Sequence, residues 1–205
     1  MLLRLASDII ISIKNEPFKV NLRLYYTDCM KKEITEIEDQ LLVMDAQDGS
    51  VEAMEKLVKR WQERLWKYAF RLTANHQAAW DVTQQSWLGI IKGLRKLHDP
   101  ANFKPWAYRI TTNKAANWIK KNSKEKKLNI DDIQEREQKV QKEIGIKELL
   151  EKLDIKKRAV LEMYYFEQLA VSEISTALRI PKGTVKSRLS NARKELKEIY
   201  QKHIE

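Results

Sequence analysis

Between Arg179 and Lys194 the chain places six cations (Arg179, Lys182, Lys186, Arg188, Arg193, Lys194) and no anion. Thr184 and Ser187 lie among them, so that Lys182, Thr184, Lys186, Ser187, Arg188 and Arg193 present charge and hydroxyls along the free side of one amphipathic segment. Contacts to phosphates and to base edges require that mixture of side chains. A second stretch, Pro100 to Lys121, reads PANFKPWAYRITTNKAANWIKK. It interleaves four aromatic residues (Phe103, Trp106, Tyr108, Trp118) with five cations (Lys104, Arg109, Lys114, Lys120, Lys121) and holds no acidic residue. Aromatic faces stack on unpaired bases while cations follow the phosphates beside them. Each stretch has a plainer reading too: a solvated basic face for the first, and for the second an amphipathic helix whose rings are core.

Catalytic chemistry finds no foothold. There is no glycine-rich phosphate loop, no metal-ligand spacing and no nucleophile set beside a general base. His76, His98 and His203 are scattered, and the single Cys29 can form neither a disulfide within the chain nor a cysteine-based metal site. The expectation is a non-enzyme with no cofactor and no metal, in a reducing cytoplasm. The 205 residues carry a net charge of +10, distributed as +1 over residues 1–29, +5 over 30–121, 0 over 122–146 and +4 over 147–205. Two basic blocks flanking a neutral one point to two contacts with a polyanion. Neither block pairs its charge with a wide apolar face, and Ile9 to Ile13 is too short to span a bilayer, so no membrane insertion is expected.

The elements that must position these residues read as helices. Five glycines and four prolines are few for 205 residues, and strand-like alternation is scarce, which predicts an all-α chain. After a helix from Ile34 to Asp45 and a turn at Asp48-Gly49, Ser50 suits the N-cap of a helix with Val51, Met54, Leu57, Val58, Trp61, Leu65, Ala69 and Leu72 inward. A break at Ala74–Gln77 precedes a third helix, Ala78 to Leu97, with Val82, Trp87, Ile90, Ile91 and Leu94 inward. Gly89 and Gly93 in its interior suggest a close helix approach. Asp99-Pro100 stops it, and a fourth helix runs from about Lys104 or Pro105 to Lys121. At about 100° per residue its Trp106, Ile110 and Trp118 fall inward, while Arg109, Asn113 and Lys120 emerge within about 40° of one another. Near the end, Val171–Leu178, a tight connection Arg179–Gly183 and a helix from Thr184 onward have the helix-turn-helix layout, with Ile174, Leu178, Ile180, Val185 and Leu189 as its small core.

Taken together, the modules resemble the sigma-70 family of bacterial RNA polymerase initiation factors, in its small extracytoplasmic-function type. The run Glu167 to Leu196, EQLAVSEISTALRIPKGTVKSRLSNARKEL, looks like sigma region 4, and the tract GTVKSRL with Ala192-Arg193 and Leu196 is its most specific part. Asp81-Val-Thr-Gln-Gln-Ser-Trp87 resembles the polymerase-binding helix of region 2, and Phe103, Trp106, Tyr108-Arg109-Ile110 and Asn113 match the pattern that melts and reads the −10 element. The chain departs from the family pattern at Trp80 and Gln85, where acidic residues are usual. It departs again at Asp154, in place of a proline, and at Arg179, in place of a turn glycine.

The resemblance implies two small helical domains, a region 2 bundle and a region 4 helix-turn-helix, joined by a flexible linker. The expected boundaries are an N-terminal extension over 1–33, poorly ordered or a mis-called start, then region 2 over 34–121, a linker over 122–145 and region 4 over 146–205. It implies that Lys182, Thr184, Lys186, Ser187, Arg188 and Arg193 contact −35 duplex, and that Asn102, Phe103, Arg109, Asn113 and Lys120 hold the melted −10 strand, with the Asn102–Phe103 loop as the pocket for a flipped base. Asp81, Gln84 and Gln85, one turn apart, would bind polymerase. The implied partners are core RNA polymerase, through its β′ clamp helices and β flap, promoter DNA and an anti-sigma factor. The competing reading is a stand-alone helix-turn-helix regulator that binds duplex DNA as a dimer. An extended linker of about 25 residues reaches about 80 Å, so it need not limit how far apart the two modules bind.

Overall fold

A computed structural model describes residues 22–128 and 150–204. Helix α1 spans Leu22–Gln47, α2 Val51–Thr73, α3 His76–Gly93 and α4 Phe103–Leu128; α5 spans Ile155–Leu161, α6 Val171–Leu178 and α7 Lys182–Ile204. Short 3₁₀ turns, Leu94–Lys96 and Pro100–Asn102, join α3 to α4, and a π-helical turn, Glu162–Phe166, extends α5. Among the described residues there is no strand, and no helix is long and apolar enough to cross a membrane. Helix α1 begins twelve residues before the expected Ile34, and α4 runs seven residues past Lys121. Residues 1–21 of the expected extension, most of the expected linker and the start of the second module at 146–149 lie outside the described residues.

Local chemistry sets the helix ends. The Ser50 hydroxyl accepts from the Ala53 N–H at 3.2 Å and Asn75 accepts from Ala78 at 2.8 Å, each meeting an N–H that the first turn leaves unpaired. Between them Ala74 closes α2 in the left-handed conformation, φ +54°, and turns the chain back. Gln47 at the end of α1 donates from Nε2 to the carbonyls of Leu94 (2.8 Å) and Leu97 (2.7 Å), tying down the turn after α3.

The apolar stripe of α2 is the spine of the first bundle: Leu57, Trp61, Leu65, Ala69 and Leu72 are at most 1% exposed. Two expected core positions lie outside it. Val51 is 72% exposed because it sits in the first turn, ahead of the packed stripe, and Ile91 is 50% exposed because α3 buries the face of Val82, Trp87 and Ile90 instead. Helices α3 and α4 approach closely where the glycines allow it. A Cβ on Gly89 would stand 3.2 Å from Ile110 Cγ2, and one on Gly93 would stand 2.9 Å from the Trp106 ring.

The second bundle packs α5, α6 and α7 around Val160, Met163, Ile174, Ala177, Val185, Leu189 and Ala192. Asp154, where the family has a proline, caps α5 by accepting from the Lys156 N–H at 2.8 Å. Ser175 Oγ donates to the Ile180 carbonyl at 2.6 Å and pins the turn of the helix-turn-helix. Arg179 ends α6 at φ +52°, ψ +47°. The chain reverses within three residues here, and the C-terminal position of α6 takes the αL conformation that glycine usually fills.

Two outcomes follow in urea denaturation. Gly93→Ala gains about 1 kcal/mol of helix propensity but forces its methyl onto Trp106, so it lowers stability by about 1–2 kcal/mol net. At Arg179, glycine is neutral or stabilising by up to about 1 kcal/mol, whereas a β-branched Val destabilises by about 1–2 kcal/mol; equal midpoints for the two variants would contradict the left-handed turn.

Candidate nucleic-acid and polymerase interface

Helix α7 carries the C-terminal candidates. Val185, Leu189 and Ala192 are buried, which turns Lys182, Lys186, Ser187 and Arg193 outward and leaves Thr184 and Arg188 half-buried. Ser187 Oγ donates to the Thr184 carbonyl at 3.1 Å, and Arg193 Nε donates to the Leu189 carbonyl at 3.2 Å. These hydrogen bonds within the helix steady both side chains while the remaining Arg193 donors point outward. Lys182 sits in the first turn, where unpaired backbone N–H groups add positive potential for a phosphate.

The aromatic, basic stretch divides on folding. Phe103 is 1% exposed, with its ring edge-on to Trp61 at 5.2 Å, so in this structure it is part of the core. The physical reason lies in the Pro100–Asn102 turn. Asp99 caps it by accepting from the Ala101 N–H at 2.9 Å, and this sets Phe103 as the first residue of α4, facing α2. Asn102 is half-buried, and its Nδ2 donates to Asp99 Oδ2 at 2.7 Å. The expected base pocket at Asn102–Phe103 is therefore not assembled in this structure. Tyr108 is buried as well, while Trp106, Ile110 and Trp118 are half-buried against the core, as helical phase suggests. Asn113 and Lys120 are exposed and Arg109 is half-buried. Burial, followed by the charge of Arg179, lowers the Arg109 guanidinium pKa; a guanidinium still remains charged at any physiological pH.

On α3, Gln84 and Gln85 are exposed and Asp81 is half-buried, so all three lie on one accessible side. Sequence reading missed what surrounds them. Trp80, Leu88 and Ile91 are 36%, 59% and 50% exposed and continue the same side. The 80, 84, 88, 91 spacing held that signal, but apolar side chains at helical intervals read as core unless a second apolar side is counted. Beside Trp80, a groove of about 380 Å³ is lined by Lys59, Gln62, Glu63, Trp66 and His76. Among the described residues, no group of three or more His, Cys, Asp or Glu side chains could hold a metal ion.

A short acidic and amide face with an apolar margin, a basic aromatic helix packed behind it and a basic helix-turn-helix form one constellation. Residues 57–125 match the family described as Sigma-70 region 2, and residues 144–196 match Sigma-70, region 4. The chain belongs to the sigma-70 family. Its likeness is to the extracytoplasmic-function type: it is 24% identical over 169 residues to the ECF RNA polymerase sigma factor SigE of Mycolicibacterium smegmatis, covering 76% of this chain and 64% of that protein. It is 26% identical over 186 residues to the RNA polymerase sigma-H factor of Pseudomonas aeruginosa, covering 82% of this chain and 96% of that protein. The fold resembles RpoE of Bartonella quintana, solved with the anti-sigma factor NepR, with a TM-score of 0.60 at 20% identity over 74% of this chain and 98% of that one. Region 2 thus takes in most of α2, all of α3 and nearly all of α4, and region 4 takes in α5, α6 and much of α7.

The reassignment of Phe103 is measurable. Phe103→Ala empties a core position and lowers the urea unfolding free energy of this sigma factor by about 3–5 kcal/mol, while Lys120→Ala stays within about 0.5 kcal/mol. A Phe103→Ala protein as stable as the parent would return that ring to the list of base-stacking candidates.

Proposed function

We propose that this sigma factor binds core RNA polymerase through the α3 side carrying Asp81, Gln84 and Gln85, bordered by Trp80, Leu88 and Ile91, and directs promoter-specific initiation. The helix-turn-helix reads −35 duplex in the major groove with Lys182, Thr184, Lys186, Ser187 and Arg188, and Arg193 holds the adjacent backbone. Arg109, Asn113 and Lys120 follow the melted −10 strand, with Asn102 at the edge of that track. The observation that carries this reading is that one chain matches region 2 and region 4 and exposes a basic helix-turn-helix side as well as a separate apolar and amide side on α3. Loss of acidic charge at Trp80 and Gln85 shifts the polymerase contact from ion pairing toward apolar burial, for which Leu88 and Ile91 are available. A stand-alone dimeric regulator would need neither the α3 side nor the single-strand track. The protein works in the cytoplasm, on nucleoid DNA when joined to polymerase, and an anti-sigma factor is the expected antagonist, as NepR partners its structural neighbour. It performs no catalysis of its own.

Reconstitution with core polymerase on genomic DNA, followed by mapping of transcript starts, tests the reading. The expected result is defined start sites that need both proteins. Arg188→Ala lowers promoter-dependent transcription about tenfold with core affinity unchanged, and Leu88→Asp with Ile91→Asp lowers core affinity about tenfold or more with the fold intact. Palindromic footprints in the absence of core polymerase, with no defined starts when it is added, would favour the dimeric regulator.

A further inference from the structure

Two carboxylates converge on one guanidinium where α2 meets the π-helical turn, and they are not held alike. Arg71, at the end of α2, donates from Nε to Glu162 Oε2 and from Nη2 to Glu167 Oε1. Tyr108 of α4 donates its phenol to Glu167 Oε2. Glu167 therefore has a donor on each oxygen, which suits an ionised carboxylate. Glu162 has a donor on Oε2 alone; its side chain is fully buried, and Oε1 has no hydrogen-bond partner. An ionised oxygen held out of water without a donor is costly, whereas a proton on it removes most of that cost. The hydrogen-bond pattern singles out Glu162 as the member of the pair that takes up a proton.

The charges around the site do not reverse that preference. Arg71 pulls toward the ionised form, but it is shared with Glu167, whose own carboxylate opposes ionisation of its neighbour. Arg158 of α5 lies four residues before Glu162, yet its guanidinium is committed to carbonyls: Nη1 donates to Leu72 at 2.8 Å and Nη2 to Leu153 at 3.1 Å. Tyr68 of α2 and Tyr108 of α4 are the nearby phenols, and burial keeps both neutral. Glu173 of α6, a helix that packs on the π-helical turn, is taken up in its own cap, where it accepts from the Ala170 N–H at 2.6 Å. Phe166 stands over Arg71, its ring centre 5.0 Å from the guanidinium carbon. Burial accordingly dominates and pushes the Glu162 carboxyl up to about 7 despite the pull of Arg71.

We propose that Glu162 is a proton-binding site that makes cohesion between α2 and the π-helical turn depend on pH near neutrality. The sign follows from a folded carboxyl raised above its ordinary value of 4.5. The folded chain holds the proton over a range in which the unfolded chain has released it. The stability this adds is complete below about pH 4.5, declines as pH rises and is lost above about 7. From about pH 6 to about pH 8 the folding equilibrium constant falls about tenfold through this one group. Surface carboxylates such as Glu52 and Glu63 run the other way, since their hydrogen bonds to Lys56 and Lys67 lower them.

Carbon-13 NMR of the full chain, labelled at its glutamate carboxyls, titrates Glu162 directly, with the resonance assigned by its loss in Glu162→Gln. The expected midpoint is about 7. Glu167→Gln removes the opposing carboxylate and moves that midpoint down, while Arg71→Gln removes the pull and moves it up. A carboxyl that serves packing alone would not titrate there or shift with both signs. In urea unfolding, Glu162→Gln, neutral at every pH, lacks the tenfold change that the parent shows from about pH 6 to about pH 8. The absence of any glutamate titrating above about pH 6 in the native chain would overturn the proposal, as would parallel pH curves for the parent and Glu162→Gln. If Glu162→Gln does not fold, the other two variants decide the matter, because a midpoint that neither of them moves would also overturn it.

Discussion

The edge of Phe103 meets the Trp61 ring at 85°, Tyr108 meets the same ring at 5.9 Å, and Tyr68 meets Tyr108 at 4.9 Å. This edge-on run of four rings is what ties α2 to α4. Aromatic pairs in that geometry gain about 0.5–1.5 kcal/mol beyond the area they bury, and here the gain is concentrated where α4 is anchored on α2. The two phenols then find partners at the margin of the stack. Tyr68 shares a hydrogen bond of 2.7 Å with Thr112, and Tyr108 reaches Glu167 of the other region. Burial, and for Tyr108 the neighbouring Glu167 carboxylate, raises both phenols far above their usual range, so both stay neutral and serve only as hydrogen-bonding groups.

Because α4 is held by its aromatic side, its polar side is free to be shaped by charge. Gly89 and Gly93 bring α3 within contact of Ile110 and Trp106, so the α3 side with Gln84 and Leu88 and the α4 side with Arg109 and Asn113 belong to one closely packed pair of helices. In region 4 the turn at Arg179 accepts a left-handed residue in order to set the angle between α6 and α7, and the same residue contributes charge near Arg109.

Much of the architecture was legible in the residue pattern. Ser50 as a cap, the break near Ala74, the 3–4 spacing of Leu57, Trp61, Leu65, Ala69 and Leu72, the glycine approach and the helix-turn-helix core all follow from local rules that act over one or two turns. The candidate sites were legible only as residue types: exposed basic positions on α7 and the Asp81, Gln84, Gln85 side of α3 lie where helical phase puts them. What failed was any inference that needed to know what stands opposite. Phe103 reads equally well as a stacking platform or a core ring, and Ile91 reads as core because periodicity gives a direction but not a neighbour.

By itself, then, the sequence determined the helices, their caps, the two basic blocks and the family, since those depend on residue spacing and composition within short windows. Only the tertiary structure decided which aromatics are buried, that Arg179 adopts the left-handed turn, and that Arg71 pairs with Glu162 and Glu167 more than ninety positions away. Those last contacts join parts of the chain separated by a linker, where no periodicity connects one residue to the other. The physical reason is that burial and ion pairing depend on three-dimensional proximity, which spacing along the chain encodes only within a helix.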